Sequence, residues 1–307
     1  KAESRGLGDV YKRQGLLTMK NFKDKVAVIT GAGSGMGQEL ALQLAAEGCN
    51  IALVEWKEDL LNETRELLKK HNVGVSSHLI DVSDKEAVDN LPNEVIENHG
   101  QVDIVFNNAG LSVATKVEDS TDEDWDFGLG ILLHGVINST RAFLPHLKER
   151  PESAIVNTSS IFGLLSVPTQ SIYHVGKFGV RGFTESLALE MQLNNESVEV
   201  YSVHPGHIGT NIFSASRFKN FEPGTSLFGE ANTPEEAGKI FKENAPTSAK
   251  SAAKIILKNI RKKNKRILVG IDAHMYDLAQ RIFPKWYIYL LPLIPLIRNL
   301  FPKDKIS

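Results

Sequence analysis

The chain has 307 residues, of which 42% are hydrophobic and 23% charged, a composition typical of a folded globular protein. Its net charge of −2 excludes the large basic excess of a general nucleic-acid binder, so no nucleic-acid partner is predicted. The single cysteine, Cys49, excludes an intramolecular disulfide bond and fits a reducing compartment, so we expect a cytoplasmic protein. The length suits one large α/β domain or two smaller domains.

The first 18 residues precede the first methionine, Met19, and contain no apolar core long enough for a signal peptide. We interpret residues 1–18 as a non-native or disordered leader and exclude them from the fold prediction. The chain has no uninterrupted run of 18 apolar residues, so no membrane-spanning helix is predicted.

From residue 25 onward, short apolar runs alternate with amphipathic stretches of helical length. Strands are predicted at 25–30, 50–55, 75–82, 102–110, 153–160, 198–206 and 266–270, and helices near 35–47, 58–71, 84–99, up to about 150, and around 173–177. Continuous apolar strands separated by helices are typical of a parallel sheet covered on both faces. We therefore predict a single α/β domain over 19–307, with a doubly wound parallel sheet and helices on both faces.

The segment "TGAGSGMG", residues 30–37, follows the first predicted strand directly and opens the first predicted helix. Glycines here let the backbone turn tightly and approach a pyrophosphate, while the helix N-terminus offers amide donors and the positive end of its dipole. The position between strand and helix makes this a stronger signal than a glycine-rich string alone. It predicts a Rossmann-type dinucleotide site. Its loop residues are Gly31, Ser34, Gly35, Met36 and Gly37.

Glu55 ends the second predicted strand, 24 positions after Gly31. A carboxylate there accepts hydrogen bonds from both ribose hydroxyls of NAD and repels the 2′-phosphate of NADP. The glycine loop contains no Arg or Lys, although Lys57 lies close enough in sequence to weaken this preference. We expect NAD rather than NADP, and the alternative is that Glu55 is a solvent-facing acid at a strand end.

Tyr173 and Lys177 lie four positions apart and so share one face of a predicted helix. The unperturbed pKa of tyrosine is about 10, which makes it a poor proton donor or acceptor near neutral pH. A cation held beside the phenol brings that pKa down toward the working range. The spacing alone also fits an ordinary Tyr–Lys pair on a helix surface.

Five motifs occur in order between residues 25 and 210. They are "TGAGSGMG" (30–37), "NNAG" (107–110), a serine pair (159–160), "YHVGK" (173–177) and "PGHIGT" (205–210). Together they resemble the short-chain dehydrogenase/reductase family, in its compact subgroup. The resemblance implies an NAD(P)-dependent oxidoreductase that interconverts a secondary alcohol and a ketone, with an apolar small-molecule alcohol or ketone as substrate. It also implies a homodimer or homotetramer.

By this resemblance, Tyr173 is the general acid–base, and Lys177 lowers its pKa while binding the nicotinamide ribose. Ser160 orients the substrate oxygen, whereas Ser159 lies one position off the expected spacing. The remaining implied cofactor contacts are Asp81 at the adenine ring, Asn107, Ala109 and Gly110 on the adenosine side, Ile208 and Thr210 at the carboxamide, and Val82, Asn108, Pro205 and Gly206.

The sequence departs from the family pattern in the fourth helix, where members usually carry an asparagine that completes a proton relay through water. Aligning Trp125 and Gly135 places Leu132 at that position, and a leucine cannot bond a water. His134 fits a packing or interface residue better than a replacement, because it faces another direction on a helix. The alternative function is therefore a dinucleotide-binding regulatory protein of the same fold with weak or no turnover. A sugar-nucleotide epimerase is disfavoured by the glycine spacing.

Two segments follow the last motif. Residues 211–247 carry turn formers and correspond to a flap over the substrate. Its apolar residues either line the pocket or pack among themselves, and they are Phe213, Phe218, Phe221, Leu227 and Phe228. The apolar run at 282–301 is interrupted by three prolines, so it is not one long helix. We expect this tail to pack on its own domain and border a homo-oligomer interface, with peripheral membrane contact as the weaker alternative. The histidines show no metal-ligand spacing, so no metal site is predicted.

Overall fold

A seven-stranded parallel sheet forms the centre of the protein in the computed structural model, which describes residues 19–219 and 231–290. Its strands are β1 (Val26–Thr30), β2 (Asn50–Glu55), β3 (Val75–Leu79), β4 (Ile104–Asn107), β5 (Ser153–Thr158), β6 (Val198–Pro205) and β7 (Arg266–Val269). They are arranged in the order β7-β6-β5-β4-β1-β2-β3, and every neighbouring pair is parallel. The strand order reverses between β1 and β4, where open α/β sheets bind their ligands.

The described residues form ten α-helices. They are α1 (Gly35–Ala46), α2 (Glu58–Leu68), α3 (Lys85–His99), α4 (Asp122–Leu129), α5 (Gly135–Lys148), α6 (Ser171–Leu193), α7 (Pro234–Glu243), α8 (Ala249–Arg261), α9 (Ile271–Ile282) and α10 (Tyr287–Leu290). A π-helical turn, Gly130–His134, joins α4 to α5 without a break. The predicted leader, the centre of the predicted flap and the end of the predicted tail lie outside the described residues.

Alternate residues of each strand pack into two separate cores, one on each face of the sheet. In β1, Ala27 and Ile29 belong to the core that α1, α2 and α8 cover, whereas Val26 and Val28 belong to the core beneath α3, α5 and α6. Both faces are apolar, so the strands read as continuous apolar runs in the sequence. The predicted doubly wound sheet with helices on both faces is confirmed.

The helical segment Asp122–Lys148 is 27 residues long and, by length and composition alone, apolar enough to cross a membrane. Two of its large apolar side chains, Phe143 and Leu147, are fully buried in the core beneath α3, α5 and α6. A core helix of a folded domain meets the same length and hydropathy criteria.

The C-terminal tail differs from its prediction. The described part leaves Ile282, Phe283, Trp286, Ile288 and Tyr289 exposed, so the expectation that this segment packs on its own domain is wrong for these residues. The physical reason lies in the preceding helix, because α9 buries only Ala273 and Asp277 and leaves its large apolar residues exposed.

Candidate active site

The candidate site is a cavity of about 270 Å³ beside the glycine loop, at the carboxyl ends of the central strands. The predicted site residues that line it are Gly31, Ser34, Gly35, Met36, Glu55, Asp81, Val82, Asn108, Ala109, Gly110, Ser160, Tyr173, Lys177, Pro205, Gly206, Ile208 and Thr210. The structure therefore brings every predicted cofactor and catalytic residue except Gly37 and Asn107 to one cavity.

The glycine loop shapes one wall of this cavity. Gly31 has a φ of +63°, a left-handed conformation that favours glycine, and a Cβ there would lie 2.9 Å from Cα of Ala109. Gly37 lies behind the loop, where a Cβ would overlap the carbonyl oxygen of Gly31. Gly37 thus permits close packing of α1 against the loop instead of touching a ligand directly.

The carboxylate of Glu55 is buried and bonded to backbone amides. Oε2 accepts a hydrogen bond from N of Gly33 at 3.1 Å, and Oε1 accepts from N of Trp56 at 3.0 Å and from N of Lys57 at 3.2 Å. The alternative of a solvent-facing acid at a strand end is therefore wrong. Glu55 lines the cavity and also joins the glycine loop to the start of α2, a structural role that the strand-end position did not reveal.

The two asparagines of "NNAG" have different surroundings, because one is buried in the domain and the other lines the cavity. Asn107 is the last residue of β4, and its buried amide donates to Oγ1 of Thr140 at 3.0 Å and to Oδ1 of Asn157 at 2.8 Å. The expectation that Asn107 lines the adenosine side is wrong, because its side chain is used between β4, α5 and β5. Asn108 lines the cavity, and its amide donates to the carbonyl of Thr30 at 3.1 Å.

Ser160, Tyr173 and Lys177 meet at the junction of β5 and α6. The Nζ of Lys177 lies 5.6 Å from the ring centroid of Tyr173 and donates to the carbonyl of Thr158 at 2.8 Å. The hydroxyl of Ser160 accepts from N of Phe162 at 3.0 Å and is hydrogen-bonded to Tyr173. Ser159 instead donates its buried hydroxyl to the carbonyl of Lys177, so it has a structural partner.

Burial is the largest cause of the pKa shifts of both Tyr173 and Lys177. It raises the pKa of Tyr173 to about 12, against the opposing effect of the hydrogen bond with Ser160, and it lowers the pKa of Lys177 to about 8. The lowering of the Tyr173 pKa expected from Lys177 is not seen in the protein alone, where the hydrogen bond with Ser160 is what opposes desolvation. Near neutral pH, Tyr173 is a neutral phenol that can donate a proton, and Lys177 is a cation.

Leu132 lies fully buried in the π-helical turn, close to this pair. A Cβ on Gly176 would lie 2.8 Å from Cβ of Leu132, so α6 packs directly on the leucine. A Cβ on Gly110 would lie 3.6 Å from Nζ of Lys177 and 3.8 Å from Cδ2 of Leu132. The leucine therefore presents methyl groups, and no hydrogen-bonding group, on the side of Lys177.

Replacing Leu132 with asparagine is expected to raise turnover, because the amide would restore a side chain that can bond a relay water. The same change should lower the free energy of unfolding by about 1–3 kcal/mol, because it buries an amide among apolar contacts. Steady-state rates and thermal melting check both expectations, with Leu132→Met as the control that keeps the site apolar. An unchanged rate in a stable Leu132→Asn variant would show that another water path already serves Tyr173.

The buried side chain of His204 holds the backbone at Ser160 in place. Its Nδ1 donates to the carbonyl of Ser160 at 3.1 Å, and the hydroxyl of Ser202 donates to Nε2 at 2.9 Å. Burial is the main cause that lowers the pKa of His204 from 6.5 to about 4. The folded protein therefore accommodates the neutral ring.

This lowered pKa predicts an acid-sensitive contribution to stability. Between pH 6.5 and about 4, the unfolded chain binds a proton at His204 that the folded chain does not, so stability is full above pH 6.5 and falls as the pH drops. The free energy of unfolding of the parent should therefore fall by up to about 3 kcal/mol across this pH range because of His204, and His204→Gln should abolish that part of the fall. Denaturant unfolding of parent and variant at both ends of this range measures the difference, and identical pH slopes would contradict the assignment.

The rest of the cavity wall is largely apolar and comes partly from the flap. Phe213 lines the cavity and packs on Phe218 at 5.4 Å and on Phe241 of α7 at 4.7 Å between ring centroids. Phe213 therefore both lines the pocket and packs against other phenylalanines, which are the two alternatives predicted for the flap. Arg217 stacks on the ring of Phe127 at 3.6 Å, and Lys219 pairs with the buried Asp124 at 2.6 Å, so these two flap residues are fixed to α4.

Sequence reasoning missed two polar residues in this wall. The hydroxyl of Ser112 donates to Oε1 of Gln170 at 2.7 Å, and both side chains line the cavity within a few residues of the motifs. Phe127, Phe162 and Phe241 were also missed as lining residues. No rule based on sequence spacing identifies these lining residues. They belong to loops and helices that come together at the cavity only in the complete fold.

A family model described as short chain dehydrogenase matches residues 25–220, which is more than half of the chain. The protein therefore belongs to the short-chain dehydrogenase/reductase family, a family of oxidoreductases. Among curated relatives, SadH of Mycobacterium tuberculosis (strain ATCC 25618 / H37Rv) is 37% identical over 270 residues, which cover 88% of this chain and 94% of SadH.

Two solved structures show what similar proteins bind. A short chain dehydrogenase/reductase from Burkholderia phymatum in complex with NAD has a TM-score of 0.78 and 28% identity, covering 89% of this chain and 97% of that chain. L-Sorbose reductase from Gluconobacter frateurii, complexed with NADPH and L-sorbose, has a TM-score of 0.69 and 28% identity, covering 81% and 96%. Similar structures therefore hold NAD in one case and NADPH in another.

Proposed function

We propose that this protein interconverts a secondary alcohol and a ketone by NAD-dependent hydride transfer, with Tyr173 as the general acid–base. The convergence of Ser160, Tyr173 and Lys177 on the cavity beside the glycine loop carries this proposal. A panel of secondary alcohols and ketones, assayed with both cofactors through the absorbance of reduced nicotinamide, tests it.

The residues of the cavity fit a dinucleotide. Ser34 gives α1 no side-chain cap, which leaves the first-turn amides available to a pyrophosphate, and Gly31 keeps the approach to the loop open. When bound there, NAD accepts a hydride and its reduced form supplies one. The residues proposed to hold it are Gly31, Ser34, Gly35, Met36, Glu55, Asp81, Val82, Asn108, Ala109, Gly110, Tyr173, Lys177, Pro205, Gly206, Ile208 and Thr210.

The protein's own groups handle the proton that must move with the hydride. In the direction of ketone reduction, the phenol of Tyr173 donates its proton to the substrate oxygen, and Lys177 as a cation stabilises the resulting phenolate. Ser160 holds the substrate oxygen through its hydroxyl. In the direction of alcohol oxidation, Tyr173 as phenolate takes the hydroxyl proton. The burial that raises the Tyr173 pKa also excludes competing water.

The lining favours a small, largely apolar substrate with a limited polar part. Ile212, Phe213 and Phe241 present apolar surface, whereas the hydrogen-bonded pair of Ser112 and Gln170 is a polar patch on the same wall. From the family we also propose a homodimer or homotetramer. From the single cysteine we propose a cytoplasmic location.

The alternative function is a dinucleotide-binding regulatory protein with weak or no turnover. Leu132 is the observation that favours it, because no hydrogen-bonding side chain stands at the position of the usual relay asparagine. The two functions differ in one measurement. A regulatory protein binds the cofactor but turns over no member of the alcohol and ketone panel.

Replacing Glu55 with glutamine tests the proposed preference for NAD. The amide keeps the size and one acceptor oxygen of the side chain but removes the charge that repels a 2′-phosphate, so the ratio of kcat/KM for NAD over NADP should fall about tenfold. Glu58→Gln, at an exposed position in the first turn of α2, is the matched control. A parent protein with a higher kcat/KM for NADP would contradict the preference itself.

A further inference from the structure

Helix α9 is amphipathic, but its polar side faces the protein. The buried carboxylate of Asp277 pairs with Arg266 of β7 and with Arg281. At the start of the helix, Asp272 accepts a hydrogen bond from N of His207 at 2.6 Å, in the loop that lines the active-site cavity. The inward face of α9 is thus held by these polar contacts beside the small, fully buried Ala273, and its large apolar residues are left for the opposite face.

The outward face of α9 is a continuous apolar stripe. Ile271, Met275, Leu278 and Ile282 follow one another at intervals of four, three and four residues, and each is between 57% and 72% exposed. This spacing places them on one side of a helix. A helix of a globular domain normally turns such a stripe toward the core, whereas this stripe is left available to a partner outside the domain.

The apolar exposure continues beyond α9 into α10. Phe283, Trp286, Ile288 and Tyr289 are each at least 50% exposed. Together with the stripe on α9 and Tyr276, they make up nine of the 17 exposed large apolar side chains among the described residues. We name these nine residues the C-terminal apolar surface. Such concentration on one short segment marks an interaction site rather than ordinary surface.

The chemistry of this surface matches a lipid bilayer. Trp286 and Tyr289 have an apolar body and a polar tip, the kind of side chain enriched where membranes meet water. The exposed charges beside them are cationic, since Lys285 is exposed and Arg281 is 55% exposed, while the acids of α9 face inward. Arg281 shares Asp277 with Arg266, so the cluster of two arginines and one aspartate keeps a net positive charge. In the sequence after Leu290, residues 291–307 add further leucines and isoleucines with three basic residues and one acidic residue.

We propose that the C-terminal apolar surface docks this protein peripherally on a membrane that carries anionic lipids. The apolar stripe enters the interface between headgroups and acyl chains, and the cationic side chains bind the anionic headgroups. Because Asp272 at the start of α9 is bonded to the cavity-lining loop, the docked surface lies directly next to the active site. This inference does not depend on the proposed reaction.

Sedimentation with lipid vesicles tests the proposal on the whole protein. The parent should sediment with vesicles of phosphatidylcholine and phosphatidylglycerol, and bind vesicles of phosphatidylcholine alone more weakly. Met275→Glu combined with Leu278→Glu should weaken binding to the anionic vesicles about tenfold or more, because the charges lie on the inserted face. Leu189→Glu combined with Leu193→Glu is the matched control, since both leucines are exposed on α6.

Two further measurements keep the test decisive. Circular dichroism checks that the double variant folds, and Trp286→Glu, outside α9, should weaken binding in the same way without altering that helix. A parent that stays in solution with both kinds of vesicle would overturn the proposal. So would a parent dimer that the Met275→Glu, Leu278→Glu pair dissociates without any lipid binding, because a second copy would then cover the surface.

Discussion

Replacing Tyr173 with phenylalanine should lower turnover about 10²- to 10⁴-fold, the usual contribution of a positioned acid–base group. The change removes only the hydroxyl oxygen from a buried ring, so the shape of the cavity and the contact with Phe162 are kept. Affinity for the cofactor should change little, because the ring stays in place. Single-turnover kinetics and cofactor titration by fluorescence measure the two quantities separately.

Tyr201→Phe is the matched control for this experiment. Tyr201 is also buried, but its hydroxyl donates to the carbonyl of Ile260, beneath α8 and away from the cavity lining. The control should lose some stability and keep its turnover. A Tyr173→Phe variant with near-parental rates would show that another group moves the proton.

Replacing Lys177 with methionine should impair both turnover and cofactor binding. Methionine fills a similar volume but removes the cation that stabilises the phenolate, so we expect a loss in kcat of about 10²-fold or more. The same ammonium is proposed to bind the nicotinamide ribose, so the Kd for the cofactor should rise as well. The carbonyl of Thr158 also loses its donor, which should cost about 1–3 kcal/mol of stability.

The two active-site variants therefore separate two roles of neighbouring residues. Tyr173→Phe should change kcat alone, whereas Lys177→Met should change kcat and cofactor affinity together. Lys254→Met, at an exposed position on α8, controls for the general effect of removing a lysine. A Lys177→Met variant that binds the cofactor as the parent does would contradict the ribose contact.

The sheet and the site could be predicted because both depend on local patterns. Strands buried on both faces need apolar residues at every position, so the runs at 25–30 and 50–55 mark β1 and β2 directly. Close contact between the backbone and a ligand at a strand–helix turn requires glycine, so the glycine-rich segment 30–37 predicts the position of the cofactor loop. Tyr173 and Lys177 share one helix face by their spacing alone.

Other features could not be predicted because they depend on which segments meet in space. The buried amide of Asn107 is bonded to Thr140 and Asn157, 33 and 50 positions away, and nothing in "NNAG" distinguishes it from Asn108. The three backbone bonds of Glu55 likewise require the glycine loop and α2 to converge on the end of β2.

One missed helix did carry a local signal. Helix α7 begins within the predicted flap, with Thr233 as its cap, Pro234 in its first turn and Glu236 as the residue whose amide the cap accepts from. This is a regular helix start, and the turn formers before it obscured the signal. Helix α9 carries helical apolar periodicity as well, but that periodicity does not reveal that its apolar stripe faces away from the core.

Transfer of deuterium from the cofactor to the substrate carbon tests the proposed reaction most directly. Reduced NAD carrying deuterium at both C4 positions of the nicotinamide would be incubated with ketones, and the product alcohols analysed by mass spectrometry. We expect deuterium on the carbinol carbon with the parent protein, and none above background with Tyr173→Phe over the same time. A parent that binds the reduced cofactor but yields no deuterated alcohol from any ketone would contradict the account.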